Sequence, residues 1–118
     1  MEYFTGRVYK IQIKVDFKKS ANMLSLKQKE YIDSIYVGST KYNLHKRFSE
    51  HKNRLNSSSR HLFKLFNINN IEIVLIKEYN FVDSNRLHAY ETLYINKCRY
   101  IKQKILNDQL PFGISKYY

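Results

Sequence analysis

Apolar and polar positions change their spacing several times along the chain, and each change marks an element. Val8, Lys10, Gln12 and Lys14 alternate with Tyr9, Ile11, Ile13 and Val15, the period of two that predicts a first strand. Asp16 to Gln28 is polar and basic, with no period beyond Met23-Leu24 and Leu26, and reads as a long hairpin connection with a helical turn. Tyr31 to Val37 predicts a second strand, ended by Gly38. Ser39-Thr40 then offers N-caps to a helix from about Lys41 to Leu55. Asn56 to Ser59 is a turn cluster, Arg60 to Phe66 a short helix, and Asn67 to Asn70 a break. Ile71 to Tyr79 predicts a third strand with apolar residues on both faces, as expected of a strand covered on both sides or central in its sheet. Asp83-Ser84 caps a long helix to about Arg99, and Pro111-Phe112-Gly113 makes a late turn. The order β-β-α-α-β-α predicts an α+β sandwich: a three-stranded, mainly antiparallel sheet flanked by helices. Residues 1–118 are expected to form one domain, with an extended basic hairpin insertion over about 14–34.

Two of the expected helices place polar groups where apolar ones belong. Leu44, Arg47, Phe48, His51 and Leu55 share one stripe of the first long helix. Leu87, Tyr90, Glu91, Tyr94 and Cys98 share one of the last, with Ile95 at its edge. A lone buried carboxylate costs several kcal/mol, so Glu91 needs a cation, an arginine or a proton. Two arrangements satisfy this: a buried Arg47–Glu91 ion pair, or a divalent metal on Glu91 with Arg47 on a phosphate oxygen.

Composition narrows the setting. The net charge of +11 points to a polyanionic partner, nucleic acid first and anionic membrane second. A competing source of the charge is codon bias, because Lys, Asn, Ile, Tyr and Phe are all encoded by AT-rich codons. The N-terminus MEYFTGRVYK has no apolar signal region, and no run approaches a membrane span. The single cysteine, Cys98, excludes an internal disulfide framework and fits a reducing intracellular compartment, cytoplasm or nucleus. Four histidines and one cysteine show no zinc-ligand spacing. Tyr9 and Tyr36 stand among eleven tyrosines, and each taken alone reads as strand packing.

Taken in order, strand Arg7-Val8-Tyr9-Lys10-Ile11, strand Ile35-Tyr36-Val37-Gly38, Arg47-x-x-x-His51 and Glu91 resemble the GIY-YIG nuclease superfamily over about residues 6–107. The resemblance implies that Tyr9 and Tyr36 are the tyrosines of the two name motifs and Gly38 the glycine after the second. It makes Arg47 the catalytic arginine, His51 the residue one turn later and Glu91 the metal-binding glutamate. Asn107 matches a late polar residue by a looser alignment. The first glycine of the name motif is replaced by Arg7, with Gly6 one place earlier. The stretch between the tyrosine motifs is longer than a tight turn and adds Lys14, Lys18, Lys19, Lys27 and Lys29 as DNA-contacting candidates.

The implied activity is metal-dependent hydrolysis of DNA phosphodiester bonds with Mg²⁺ or Mn²⁺. One inward carboxylate favours one metal over two. Arg47 would clamp a phosphoryl oxygen, Tyr9 is the first choice of general base, and Tyr36 would position the water or phosphate. A tyrosine is a poor base unless its surroundings help, and His51 would share the proton transfer or hold Tyr9 ionised. Gly38, Lys46, Lys52, Arg54, Lys18, Lys19 and Asn107 are the expected nucleic-acid contacts. DNA is the expected partner and a membrane is not; a homodimer or a partner subunit would suit double-strand cuts. The competing class is a catalytically degenerate nucleic-acid-binding module on the same fold, and a third is a structural basic protein with a buried ion pair.

Overall fold

The computed structural model describes residues 2–53 and 57–107. Three antiparallel strands, β1 (Phe4–Ile13), β2 (Tyr36–Thr40) and β3 (Ile71–Val82), form one sheet in the order β2-β1-β3. The alternation in β1 sends its side chains into two cores. Val8 joins Val37, Val82, Leu87, Ile95 and Cys98 under the long helix α5 (Ser84–Tyr100). Tyr9, Ile11 and Ile13 join Leu62, Phe66, Ile71 and Leu106 on the other face, beside α3 (Leu44–Asn53) and α4 (Arg60–Leu65). β1 is thus the central strand of an α/β/α sandwich, and the α+β expectation is met. Each fully buried aliphatic or aromatic side chain of this kind stabilises the fold by about 1.5–3 kcal/mol.

β3 is an edge strand with apolar packing on both faces, so of the two expectations the covered strand is met and the central one is corrected. Val8 pairs with Lys77 and Tyr9 with Leu75, so Ile76 is an extra residue that bulges out of the ladder. The bulge switches the strand's phase. Ile71 and Ile73 pack on the α4 side before it, while Ile76 and Tyr79 pack on the α5 side around and after it. Apolar residues on both faces record that switch, and Leu75 is left exposed.

Between β1 and β2 the chain folds into two short helices, α1 (Val15–Ser20) and α2 (Leu26–Tyr31). A capping box starts α2: Ser25 Oγ accepts from Gln28 N at 3.1 Å, and Gln28 Oε1 accepts from Ser25 N at 3.0 Å. Tyr31 is therefore helical, and the second strand begins five residues later than the apolar run predicted. It also continues past Gly38 to Thr40, so Ser39-Thr40 is strand and not a helix cap. The cap of α3 is Asn43, whose Oδ1 accepts from Lys46 N at 2.8 Å. The expected cap of α5 is in place, with Asp83 Oδ1 accepting from Arg86 N at 2.8 Å.

The segment after α5 returns along the open edge of β2. Ile35 N donates to Lys104 O at 3.0 Å, and Leu106 N donates to Ile35 O at 2.8 Å. Asn107 extends this pairing by its side chain, accepting from Val37 N at 3.0 Å and donating to Val37 O at 2.7 Å. Edge groups that would otherwise face solvent are thereby paired, as edge strands require. Among the described residues no helix is long and apolar enough to cross a membrane.

Candidate active site

Strand register brings the first tyrosine to the glycine. Tyr9 on β1 pairs across from Gly38 on β2. The Tyr9 phenol lies over Gly38 so closely that a Cβ there would sit 2.6 Å from Tyr9 Cζ, in still closer contact with Tyr9 Oη, and 3.1 Å from Tyr36 Cε1. Gly38 is glycine because a ring occupies the place of its side chain.

Helix α3 supplies the phenol's partners. Arg47 Nε donates to Tyr9 Oη at 2.9 Å, and His51 Nε2 lies 2.6 Å from the same oxygen. Tyr9 is 0% exposed and His51 is buried. Tyr36 sits edge-on to His51, with ring centroids 4.9 Å apart. The far nitrogen of His51, Nδ1, lies 2.8 Å from Ser59 Oγ and 3.3 Å from Ser57 Oγ, so the turn before α4 fixes the ring. Burial above all, then Tyr36, pushes the Tyr9 hydroxyl well above the ordinary tyrosine range, while Arg47 pulls it back in part.

Glu91 approaches from α5. It is 8% exposed and its Oε1 accepts from Ser39 Oγ at 2.5 Å. Burial raises its pKa to about 7, against the lowering pull of Ser39 and of Arg47. Arg47 makes its ion pair with Glu50, three residues along its own helix, Nη1 to Oε1 at 3.1 Å. Burial lowers the Arg47 pKa, but Tyr9 and Glu50 more than offset it, leaving it raised. The Arg47–Glu91 ion pair weighed from the sequence is therefore corrected: the arginine's carboxylate is Glu50, and Glu91 rests on a serine hydroxyl.

A groove of about 430 Å³ reaches this cluster at Ser39, Arg47 and Glu50, and is lined besides by Lys41, Tyr42 and His88. Its wall is tied down by Arg7 Nη1, which donates to Tyr42 O at 3.2 Å. Lys46 lies at the mouth, its Nζ 3.9 Å from the Tyr42 ring centroid. Lys52 is exposed on the last turn of α3, and Arg54 lies outside the described residues. Lys18 pairs with Asp33 at 3.5 Å, and α1, which carries Lys18 and Lys19, follows the Ile13 end of β1, away from the Phe4 end where the groove opens. The structure thus brings together Tyr9, Tyr36, Gly38, Arg47, His51 and Glu91. It sets Asn107 behind β2 as a backbone brace.

Sequence reasoning missed Glu50, Ser39, Ser57 and Ser59. Arg47-x-x-Glu50 has helical pairing spacing and was available as a signal. Ser39 has the residue type and place of a helix cap, which masks its role on β2. The two serines looked like any turn, because the contact to His51 depends on how α4 folds back.

The GIY-YIG catalytic domain family matches residues 23–104, and the chain belongs to that family. The matched span holds Tyr36, Arg47, His51 and Glu91; Tyr9 precedes it and reaches the site through the β1–β2 pairing. No curated protein and no solved structure gives a match to the chain. The fold and family are those of a nuclease.

Proposed function

We propose that the protein is a metal-dependent endonuclease that hydrolyses phosphodiester bonds in DNA. The observation that carries this reading is the Tyr9 hydroxyl, held between Arg47 Nε at 2.9 Å and His51 Nε2 at 2.6 Å, beside a buried Glu91. A structural tyrosine needs one hydrogen-bond partner. Two, one cationic and one able to take a proton, make an oxygen through which a proton can pass.

Glu91 fits a divalent cation. It is a hard oxygen ligand whose charge is costly where it lies, and a bound cation removes that cost. Among the described residues there is no group of three or more His, Cys, Asp or Glu, so Glu91 would be the main protein ligand and water and phosphate the rest. Such sparse protein ligation suits Mg²⁺ or Mn²⁺. When bound, the ion supplies Lewis acidity to the phosphoryl group and to the leaving oxygen.

The chain's own residues do the remainder. Arg47 lines the groove and offers its planar fork to a non-bridging phosphate oxygen, with Glu50 fixing its plane. Tyr9 is fully buried at rest, so the step requires its hydroxyl to become reachable from the groove; it then accepts the proton of the attacking water while its own proton passes to His51 Nε2. The raised pKa of Tyr9 makes this concerted transfer preferable to a standing phenolate. Tyr36 packs on His51 and holds it toward Tyr9. Lys41 and Lys46 at the groove mouth serve flanking phosphates, with binding that weakens steeply as salt rises.

A cleavage panel over duplex, nicked, single-stranded, flap and junction DNA with Mg²⁺ or Mn²⁺ tests the reading. Cutting that disappears in Glu91→Gln and Arg47→Ala is the expected result. Salt-sensitive DNA binding with no cleavage of any form would leave the degenerate binding module in its place.

A further inference from the structure

The β1–β3 ladder is irregular a second time, near the groove. Gly6 pairs with Tyr79 and Phe4 with Val82, so Thr5 alone stands opposite Asn80 and Phe81. The extra residue is accommodated by Phe81, whose φ is 55°. Glycine takes that left-handed conformation freely; a bulky aromatic residue is strained in it. Burial does not compensate. The Phe81 side chain is 82% exposed, and the ring it meets, Tyr3 at 6.3 Å between centroids and 41° between planes, is itself 56% exposed. A strained backbone costs folding, and a ring left in water gains nothing to offset it. Bulges that re-aim a side chain in this way gather beside functional sites.

The two rings open over a concavity of about 240 Å³ lined by Tyr3, Phe4, Thr5, Asn80 and Phe81. Its walls are aromatic and its floor is polar, with Thr5 Oγ and Asn80 Oδ1 3.3 Å apart. Phe4 also lines the groove that holds Arg47, and Lys41 Nζ lies 5.8 Å from the Phe4 ring centroid. The concavity therefore adjoins the Arg47 groove at Phe4, with Lys41 near that shared wall. A flat π face with hydrogen-bonding edges, carried on a polyanionic backbone, is the ligand that matches: a nucleobase.

We propose that Tyr3 and Phe81 form a stacking site for one unpaired nucleobase of the DNA whose phosphate occupies the Arg47 groove. The inference rests on the nuclease reading for the identity of the ligand. It adds a substrate class. A base in continuous duplex is already stacked and cannot enter, so the site selects DNA with an unpaired nucleotide beside the cut, such as a flap, a fork or a single strand.

The test is binding in EDTA, where no cleavage intervenes. The probes are a flap duplex with 2-aminopurine in its unpaired arm and the matching continuous duplex. The wild-type protein is expected to bind the flap more tightly and to change the 2-aminopurine fluorescence. Phe81→Ala and Tyr3→Ala are expected to lose that signal and to weaken flap binding by roughly 5- to 150-fold, the range for one stacked base. Duplex affinity and the salt slope stay unchanged, because no charge is removed. Phe81→Gly is expected to lose the same affinity yet melt at a higher temperature than Phe81→Ala, since glycine relieves the backbone. Wild-type flap affinity and signal in both alanine variants would overturn the proposal. So would a drop in self-association by sedimentation with flap binding intact, which would give the patch to a second copy of the chain. Stacking that is present and lost as expected, with no cleavage of any DNA by the wild type, would uphold the site and remove the nuclease reading.

Discussion

Gly38→Ala adds a single methyl group, and the structure gives it nowhere to go. The new Cβ would lie 2.6 Å from Tyr9 Cζ, closer still to Tyr9 Oη, and 3.1 Å from Tyr36 Cε1. Contacts below about 3.4 Å between such carbons are repulsive, so one side must move. Tyr9 has little freedom: it is fully buried and its oxygen is held by Arg47 and His51. The backbone of Gly38 is fixed by its pairing with Tyr9. Overpacking of this kind costs about 1–3 kcal/mol. If the phenol swings away instead, the hydrogen bond from a charged donor is lost, at about 1.5–3 kcal/mol. Either route predicts roughly 1–3 kcal/mol of destabilisation, read as a lower urea midpoint with an unchanged slope. Displacement of the phenol by about 1 Å also predicts a cleavage rate down on the order of 10²-fold. Tyr9→Phe in the same chain removes the atom in closest contact but not Cζ, so the double variant should recover part of the stability cost and none of the activity. A Gly38→Ala protein with wild-type midpoint and rate would show that the phenol does not lie over Gly38, and the account of the site would fall with it.

Glu91→Gln should be more stable than the wild type above pH 7. The folded-state pKa of Glu91 is raised from about 4.5 to about 7, so the native state binds a proton that the unfolded state has released. Wild-type stability therefore falls as pH rises through that window, by roughly 3 kcal/mol for this group. The advantage of the glutamine variant should vanish near pH 4, and Mg²⁺ should restore wild-type stability at pH 8 while leaving Glu91→Gln unmoved. Denaturation series at each pH would expose a wrong sign directly. Asn107→Ala should lose about 2–3 kcal/mol by chemical denaturation, because Val37 N–H and C=O both lose their partner on the β2 edge; a loss under half a kcal/mol would mean that water replaces the amide. Tyr9→Phe and His51→Ala should each reduce single-turnover cleavage by a similar factor, with the double variant no worse than either. Multiplying losses would mean that the two residues act independently.

Much of the fold was legible because β1, α4 and α5 follow simple periodicities and α5 carries its own cap at Asp83. Tyr31 shows where reading failed. An apolar run looks like strand until the Ser25–Gln28 capping box is given its weight, and local capping won. β3 failed differently: its double-sided pattern is real, but a bulge and not a central position produces it. In the site, Arg47, His51 and Glu91 announced themselves as polar residues on buried stripes. Their true partners did not. Glu50, Ser39 and Ser59 are polar residues in polar surroundings along the chain, and only the packing of α3, β2 and α4 makes them contacts.

Burial is the property that joins the two halves of the site. It raises both Tyr9 and Glu91, so neither carries its charge comfortably in the resting protein. On the proposed reading the remedy for Glu91 is a cation, which would couple the site to metal. For Tyr9 the cation already beside it, Arg47, does not offset burial, and the hydroxyl remains well above its ordinary range. The phenol can accept a proton from water only as it gives one up, and His51 Nε2 at 2.6 Å is the acceptor in reach. That acceptor must be unprotonated on Nε2, which places the imidazole proton on Nδ1, where Ser59 Oγ at 2.8 Å can receive it. Gly38 supplies the room, Arg47 the polarisation and Ser59 the tautomer. On the proposed mechanism, a tyrosine that would be an ineffective base in water becomes a conduit once each of those three contacts is fixed by a different element of the fold.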